Sequence, residues 1–160
     1  MLHNGKWYNR YLEIALGYLP DEIYEKYENK IEFFTTAECD ACRIARVLCE
    51  EKEIILLSER ILPNTIDVED NNNGRYFIFS VLHEIVHAIK KHRPPKDITP
   101  KADKNQEEEA DNLAFEWFNK HVESRNNAAL KPITQDEINE ARERNQKLMH
   151  KCIECYKSIE

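Results

Sequence analysis

Glycine is scarce in this chain, and long apolar runs are missing. Only three of the 160 residues are glycine, and none lies in a glycine-rich loop. This excludes the phosphate-cradling loops and dinucleotide fingerprints of nucleotide-binding proteins. No apolar run approaches the roughly 20 residues that cross a bilayer, and residues 1–11 lack the apolar segment of a signal peptide. We therefore expect a cytoplasmic location and no membrane association.

An excess of basic charge is missing as well. The chain has 30 Asp and Glu against 23 Lys and Arg, a formal net charge of −7. Nucleic acid is repelled by such a balance unless a local basic patch overrides it. The one basic cluster, at 90–93, ends a predicted helix, where cations complement the helix dipole. We therefore expect no nucleic-acid partner.

The overall composition is typical of a globular chain that needs no disulfides to fold. Hydrophobic residues make up 41% of the sequence and charged residues 33%. A length of 160 residues corresponds to about one domain with a sizeable core. We therefore expect a single domain over residues 1–160.

Hydrophobic periodicity predicts an α+β fold with a small, partly antiparallel sheet. Residues 39–51 are ambiguous between a helix and the first arm of a hairpin. We expect polar loops at 63–74, with a turn at 71–74, and at 94–104. The predicted strands are 31–36 and 53–59. The predicted helices are 7–16, 20–29, 76–91, 106–122 and a last helix opened by a capping box at 134–137.

The most informative motif is His83-Glu84-Ile85-Val86-His87, on the clearest predicted helix. Residues four apart lie on one helical face, so both imidazoles can reach one ion. Glu84 lies beside that face, where a carboxylate can polarise a metal-bound water. Neutral imidazole is a good ligand for zinc. The alternative is that the two histidines are core residues satisfied by hydrogen bonds.

A catalytic zinc site needs a third protein ligand and an open position for water. Glu107 lies twenty residues after His87, and Asp111 follows it four positions later on the same helical face. We expect Glu107 to bind the metal and Asp111 to accept a hydrogen bond from a ligating histidine. Glu108 is the alternative ligand, because an error of one residue in helix phase would exchange the two glutamates.

These two segments together resemble the ImmA/IrrE family of gluzincin-like metallopeptidases. The resemblance rests on His83-Glu84-x-x-His87 followed by Glu107-x-x-Ala110-Asp111-x-x-Ala114, within about residues 54–117. It implies a zincin-like core, in which a small mixed sheet lies beside the His-Glu-x-x-His helix and the glutamate helix, with extra helices at both ends. It also implies ligand roles for His83, His87 and Glu107, and a general-base role for Glu84. The family pattern has Phe-Ala where this chain has Leu113-Ala114.

The residues permit metal-assisted hydrolysis of a peptide bond, with one catalytic zinc ion. We therefore expect a zinc metalloendopeptidase with a protein substrate, and the resemblance implies a helix-turn-helix repressor of a mobile element or stress regulon. The sequence does not place the donor for the tetrahedral oxyanion. His121, His92 and Tyr76 are candidates by residue type only.

Two Cys-x-x-Cys pairs, Cys39/Cys42 and Cys152/Cys155, lie near opposite ends of the chain. Four thiolates in two such pairs form a structural zinc site if the fold unites them. The alternative is that they are small side chains in packed elements, and a dithiol redox site lacks the surrounding pattern it needs.

Two functional alternatives therefore remain open. One is a zinc-containing regulatory or toxin-antitoxin-type protein that binds a partner without cleaving it. The other is a structural zinc module built from the cysteine pairs, in which the helical histidines bind nothing.

Overall fold

The computed structural model describes the backbone of residues 6–36, 41–44, 52–63, 68–125, 127 and 130–157. Within these ranges it leaves out the side chains of 6–8, 41–44, 60 and 148–157. Two short 3-10 turns, Glu59–Ile61 and Pro95–Asp97, join larger elements. The larger elements are α1 Lys6–Leu16, α2 Asp21–Tyr27, β1 Ile31–Thr36, β2 Ala41–Ile44, β3 Glu53–Ser58, α3 Asn72–Lys90, α4 Pro100–Arg125 and α5 Gln135–Lys157.

The fold is α+β, as predicted, and its sheet is small and mixed. The strand order is β1-β3-β2. β1 and β3 are parallel, with Ile31 opposite Glu53 and Thr36 opposite Ser58, whereas β2 is antiparallel to β3. The two predicted strands are confirmed to within one residue. The described part of the ambiguous segment at 39–51 is strand β2, which is antiparallel to β3, as the hairpin alternative predicts; the rest of the segment lies outside the described residues.

Helix α3 is the centre of the molecule. It contacts α1, α4, α5, β2 and β3. Every side chain position from Gly74 to Val86 is buried, because apolar residues at spacings of three and four face the sheet on one side and the neighbouring helices on the other. The helix that carries the histidine motif is therefore held by packing along most of its length.

The start of α3 corrects the prediction of a turn at 71–74. Asn71 is the N-cap, and its side-chain oxygen accepts a hydrogen bond of 2.8 Å from the Gly74 amide. Such a cap satisfies an amide that has no partner inside the helix. Gly74 is buried against Val68, whose carbonyl oxygen would lie 1.7 Å from an added Cβ. The asparagine run therefore begins the helix, and glycine permits the close approach of the preceding loop.

The end of α3 depends on one left-handed residue. Lys91 has a φ of 55°, a conformation that commonly ends helices. The chain turns back there, and the His92 amide donates to the His87 carbonyl at 3.0 Å. This turn places the His92 side chain against the last turns of α3.

Helix α4 begins at Pro100, so the prediction of a loop to residue 104 was wrong. Thr99 precedes it and accepts from the Ala102 amide at 3.3 Å through Oγ1. Proline in the first turn needs no amide partner, so Thr99-Pro100 is a helix-start signal that the charge of the segment obscured. In α5 the predicted capping box is confirmed, because Thr134 and Glu137 exchange hydrogen bonds of 3.0 and 3.2 Å.

A charged contact joins the starts of α3 and α5. The Arg75 guanidinium donates to Glu137 and also to Asn72. The Arg75 side chain is only 6% exposed, so its cation depends on this carboxylate. Among the described residues, no helix is both long and apolar enough to cross a membrane.

Candidate metal centre

His83 and His87 lie one helical turn apart on α3, and their side chains are nearly buried. Their Nε2 atoms are 3.0 Å apart. The side chains are 9% and 12% exposed. The helix therefore directs both nitrogens to the same point.

Helix α4 brings a carboxylate to that point. Glu107 Oε2 lies 3.4 Å from His83 Nε2, and Glu107 Oε1 lies 3.4 Å from His87 Nε2. Glu108 points away and pairs with Lys104 at 3.6 Å on an exposed surface. The helix phase thus selects Glu107 over Glu108 as the residue that meets the histidines.

The spacing of these three groups fits a metal ion. Their candidate ligand atoms all lie within 4.8 Å of one another. In a tetrahedral site with bonds of about 2.0–2.1 Å, neighbouring ligand atoms are separated by about 3.3 Å. The observed separations of 3.0 and 3.4 Å bracket that value. His83, His87 and Glu107 could therefore hold a metal ion with little rearrangement.

Asp111 lies against the His83 ring on the side away from Glu107. Its Oδ1 atom lies 2.8 Å from His83 Nδ1, the nitrogen that faces away from Glu107. Arg142 of α5 donates to both Asp111 oxygens, at 2.8 and 2.6 Å. Burial alone would raise the pKa of Asp111, but His83 and Arg142 hold this pKa well below its ordinary value. Asp111 is therefore a carboxylate at neutral pH and can orient the ring.

The neighbouring carboxylates also shift the pKa of His83. Burial alone would lower the pKa of His83, but Asp111 and Glu107 outweigh it and raise this pKa to about 9. The contact with His83 in turn lowers the pKa of Glu107. The carboxylates around His83 therefore favour a positive charge at this position.

An open cleft of about 260 Å³ adjoins His83 and Glu107. Glu84 lines it and is 8% exposed. The residues that line the cleft are Tyr76, Phe79, Ser80, His83, Glu84, Glu107, Arg142 and Gln146. The cleft thus brings the motif glutamate, two of the three candidate ligands, His83 and Glu107, and part of α5 to one surface.

The three candidates for an oxyanion donor lie in different places. Tyr76 lines the cleft. His92 lies behind His87, with the two Nδ1 atoms 2.9 Å apart. His121 stacks on the Tyr18 ring, with centroids 4.0 Å apart. Of the three, only Tyr76 lines the cleft.

The contacts that Arg142 and His92 make at the site were not predicted from the sequence. Arg142 belongs to a helix that reads as a solvated charged face, 31 positions from its partner Asp111. No spacing rule links residues so far apart. His92 follows a helix end, where periodicity no longer gives the direction of a side chain.

The predicted cysteine site falls outside the described part of the chain. Cys39 is not among the described residues, and the side chains of Cys42, Cys152 and Cys155 are not described. A second, structural zinc ion at these four residues therefore stays a prediction.

Comparison of the chain with protein-family models, with curated proteins and with solved structures found no match. The resemblance to the ImmA/IrrE metallopeptidases therefore stays a prediction that rests on the motif residues.

Proposed function

We propose that this protein is a zinc-dependent metalloendopeptidase with a zincin-like core. The observation that carries the proposal is the convergence of His83 Nε2, His87 Nε2 and the Glu107 carboxylate within 4.8 Å, beside a cleft that Glu84 also lines. Two histidines and a glutamate are a ligand set of catalytic zinc, which keeps a further position open for water.

The residues of the chain divide the work in the following way. A zinc ion bound there would acidify a water molecule and polarise a carbonyl group. Glu84 would accept a proton from that water and pass it to the leaving amine. Tyr76, which borders the same cleft, is the candidate donor to the developing oxyanion. Asp111 holds the His83 ring so that Nε2 faces the ligand position.

The shape of the site favours a polypeptide substrate. The Glu107 side chain is 50% exposed, so one side of the ligand group is accessible from solvent. The cleft is open, and its lining combines the aromatic residues Tyr76 and Phe79 with the polar residues Ser80, Arg142 and Gln146. The resemblance supports a repressor as the substrate, and the open cleft beside the ligand group is accessible to a peptide segment of it.

The test is a comparison of the wild type with Glu84→Gln, both loaded with zinc. Each is incubated with a proteome-derived peptide library, and new amino termini are identified by mass spectrometry. We expect cleavage by the wild type only, with equal zinc content in both proteins. Cleavage that persists in Glu84→Gln would contradict the peptidase proposal. Absence of cleavage by the zinc-loaded wild type would favour a metal-binding protein that acts by binding.

A further inference from the structure

His92 is a buried histidine that the proposed chemistry does not use. It is 8% exposed and has both ring nitrogens close to polar partners. Nδ1 lies 2.9 Å from His87 Nδ1, and Nε2 lies 3.2 Å from Glu109 Oε2. The ring thus connects a candidate metal ligand to a carboxylate on α4.

This contact exists only because α3 ends between the two histidines. In a continuous helix His92, five positions after His87, would point about 140° away from it around the axis. The left-handed Lys91 turns the chain, and the His92 amide bonds to the His87 carbonyl. The two rings then meet edge to face, with centroids 4.8 Å apart.

The geometry permits one consistent arrangement of protons. His87 Nε2 faces His83 and Glu107, so it must be free of a proton when it binds a metal. The proton of neutral His87 is then on Nδ1, which donates to His92 Nδ1. His92 in turn carries its proton on Nε2, which donates to Glu109. Each donor meets an acceptor along the whole chain of contacts.

We propose that His92 and Glu109 are positioning residues that fix the tautomer and ring orientation of His87. The proposal rests on the metal site of the proposed function and concerns the side of it that Asp111 does not reach. His83 Nδ1 lies 2.8 Å from the Asp111 carboxylate itself, whereas His87 reaches a carboxylate through an intervening imidazole. Lys90 donates to the other oxygen of Glu109 at 2.6 Å. Arg142 donates to Asp111 in the same way, so both carboxylates are paired with a cation.

The test measures zinc affinity and the His87 tautomer, so it does not depend on knowing the substrate. The variants are His92→Leu and Glu109→Gln. Glu108→Gln is the matched control, because Glu108 is the neighbour of Glu109 and contacts Lys104 instead. Zinc dissociation constants are obtained by competition with a chromogenic chelator, and ring-nitrogen NMR of the zinc-loaded proteins reports which nitrogen of His87 is protonated.

We expect zinc affinity to fall about 10-fold or more in both variants and to stay at the wild-type value in the control, as loss of an outer hydrogen-bond partner does at other metal sites. We also expect His87 to be protonated at Nδ1 in the wild type, and this signal to change in His92→Leu. Restored affinity in His92→Gln, which can still accept and donate, would support a positioning role over simple packing.

Unchanged affinity and an unchanged His87 tautomer in His92→Leu and Glu109→Gln would overturn the relay while leaving the metal site intact. A wild type that takes up no zinc would overturn the metal site and the relay with it. If His92→Leu does not fold, Glu109→Gln decides alone, because the Glu109 side chain is 45% exposed and its replacement leaves the core untouched.

Discussion

Arg142 of α5 donates two hydrogen bonds to the Asp111 carboxylate of α4, and Asp111 Oδ1 lies 2.8 Å from His83 Nδ1. The paired, planar geometry of such a contact fixes the carboxylate more firmly than one bond would. Helix α5 therefore takes part in shaping the candidate metal centre, although none of the three candidate ligands comes from it.

The first prediction concerns Asp111. Asp111→Asn removes the charge that faces His83 and breaks the pairing with Arg142, so we expect zinc affinity to fall about 10- to 100-fold. Glu116→Gln, an exposed change on the same helix, is the control and should bind zinc as the wild type does. Equal dissociation constants for Asp111→Asn and the control would show that Asp111 does not orient His83.

The second prediction separates two neighbouring glutamates. Glu107 faces both histidines, whereas Glu108 pairs with Lys104 on the surface. We expect Glu107→Gln to lose bound zinc during dialysis, because a neutral amide is a poor zinc ligand. Glu108→Gln should retain about one zinc per chain by elemental analysis. Full retention by both variants would remove Glu107 from the ligand set.

The third prediction is a pH dependence of stability that does not involve the metal centre. Burial alone would raise the pKa of Glu137, but Arg75 and Thr134 lower it below its ordinary value. A carboxylate with a lowered folded-state pKa stabilises the protein above its unfolded-state pKa, and this contribution is lost as the pH falls through the folded-state pKa.

Glu137→Gln keeps the capping hydrogen bonds but removes the charge beside Arg75. We expect it to lower the free energy of unfolding by about 2 kcal/mol at neutral pH. The difference between variant and wild type should shrink in acid, below the ordinary pKa of a glutamate. Urea titrations at pH 7 and pH 3 measure it, and a difference that is the same at both pH values would contradict the assignment.

The fourth prediction concerns the start of α3. Gly74→Ala would place a Cβ 1.7 Å from the Val68 carbonyl oxygen, so the backbone must shift. We expect a loss of about 2 kcal/mol or more in the free energy of unfolding. Gly17→Ala is the control, because its nearest atom would lie at 3.2 Å. Chemical denaturation that finds the two variants equally stable would contradict this packing.

Much of the fold followed from local sequence patterns. The apolar spacing along α3, the apolar run of β3 and the Thr134–Glu137 capping box depend on residues that are close in sequence, so periodicity and capping rules suffice. The starts of α3 and α4 were misplaced, because Asn71 and Thr99-Pro100 lie in polar segments that resemble loops. Their capping roles are visible only through hydrogen bonds to the amides that follow.

The candidate site likewise contains residues that local patterns predicted and residues that they did not. His83, Glu84 and His87 share one helix, and the spacing of Glu107 and Asp111 predicted which residues of the second helix would face them. The contacts of Arg142 and His92 depend on how α5 packs and on how α3 ends. Neither is a property of a short window of sequence, so no local pattern could predict them.

The left-handed conformation of Lys91 has a consequence for how this chain can vary. The length of α3 is tied to the position of its histidines, because the helix must end at Lys90, three residues after His87, for His92 to fold back onto it. Inserting or deleting one residue between His87 and Lys91 would leave all three candidate ligands in place and still disconnect His87 from Glu109. Helix termination is here part of the construction of the site, so this boundary should tolerate changes of residue type, such as glycine at position 91, far better than changes of length.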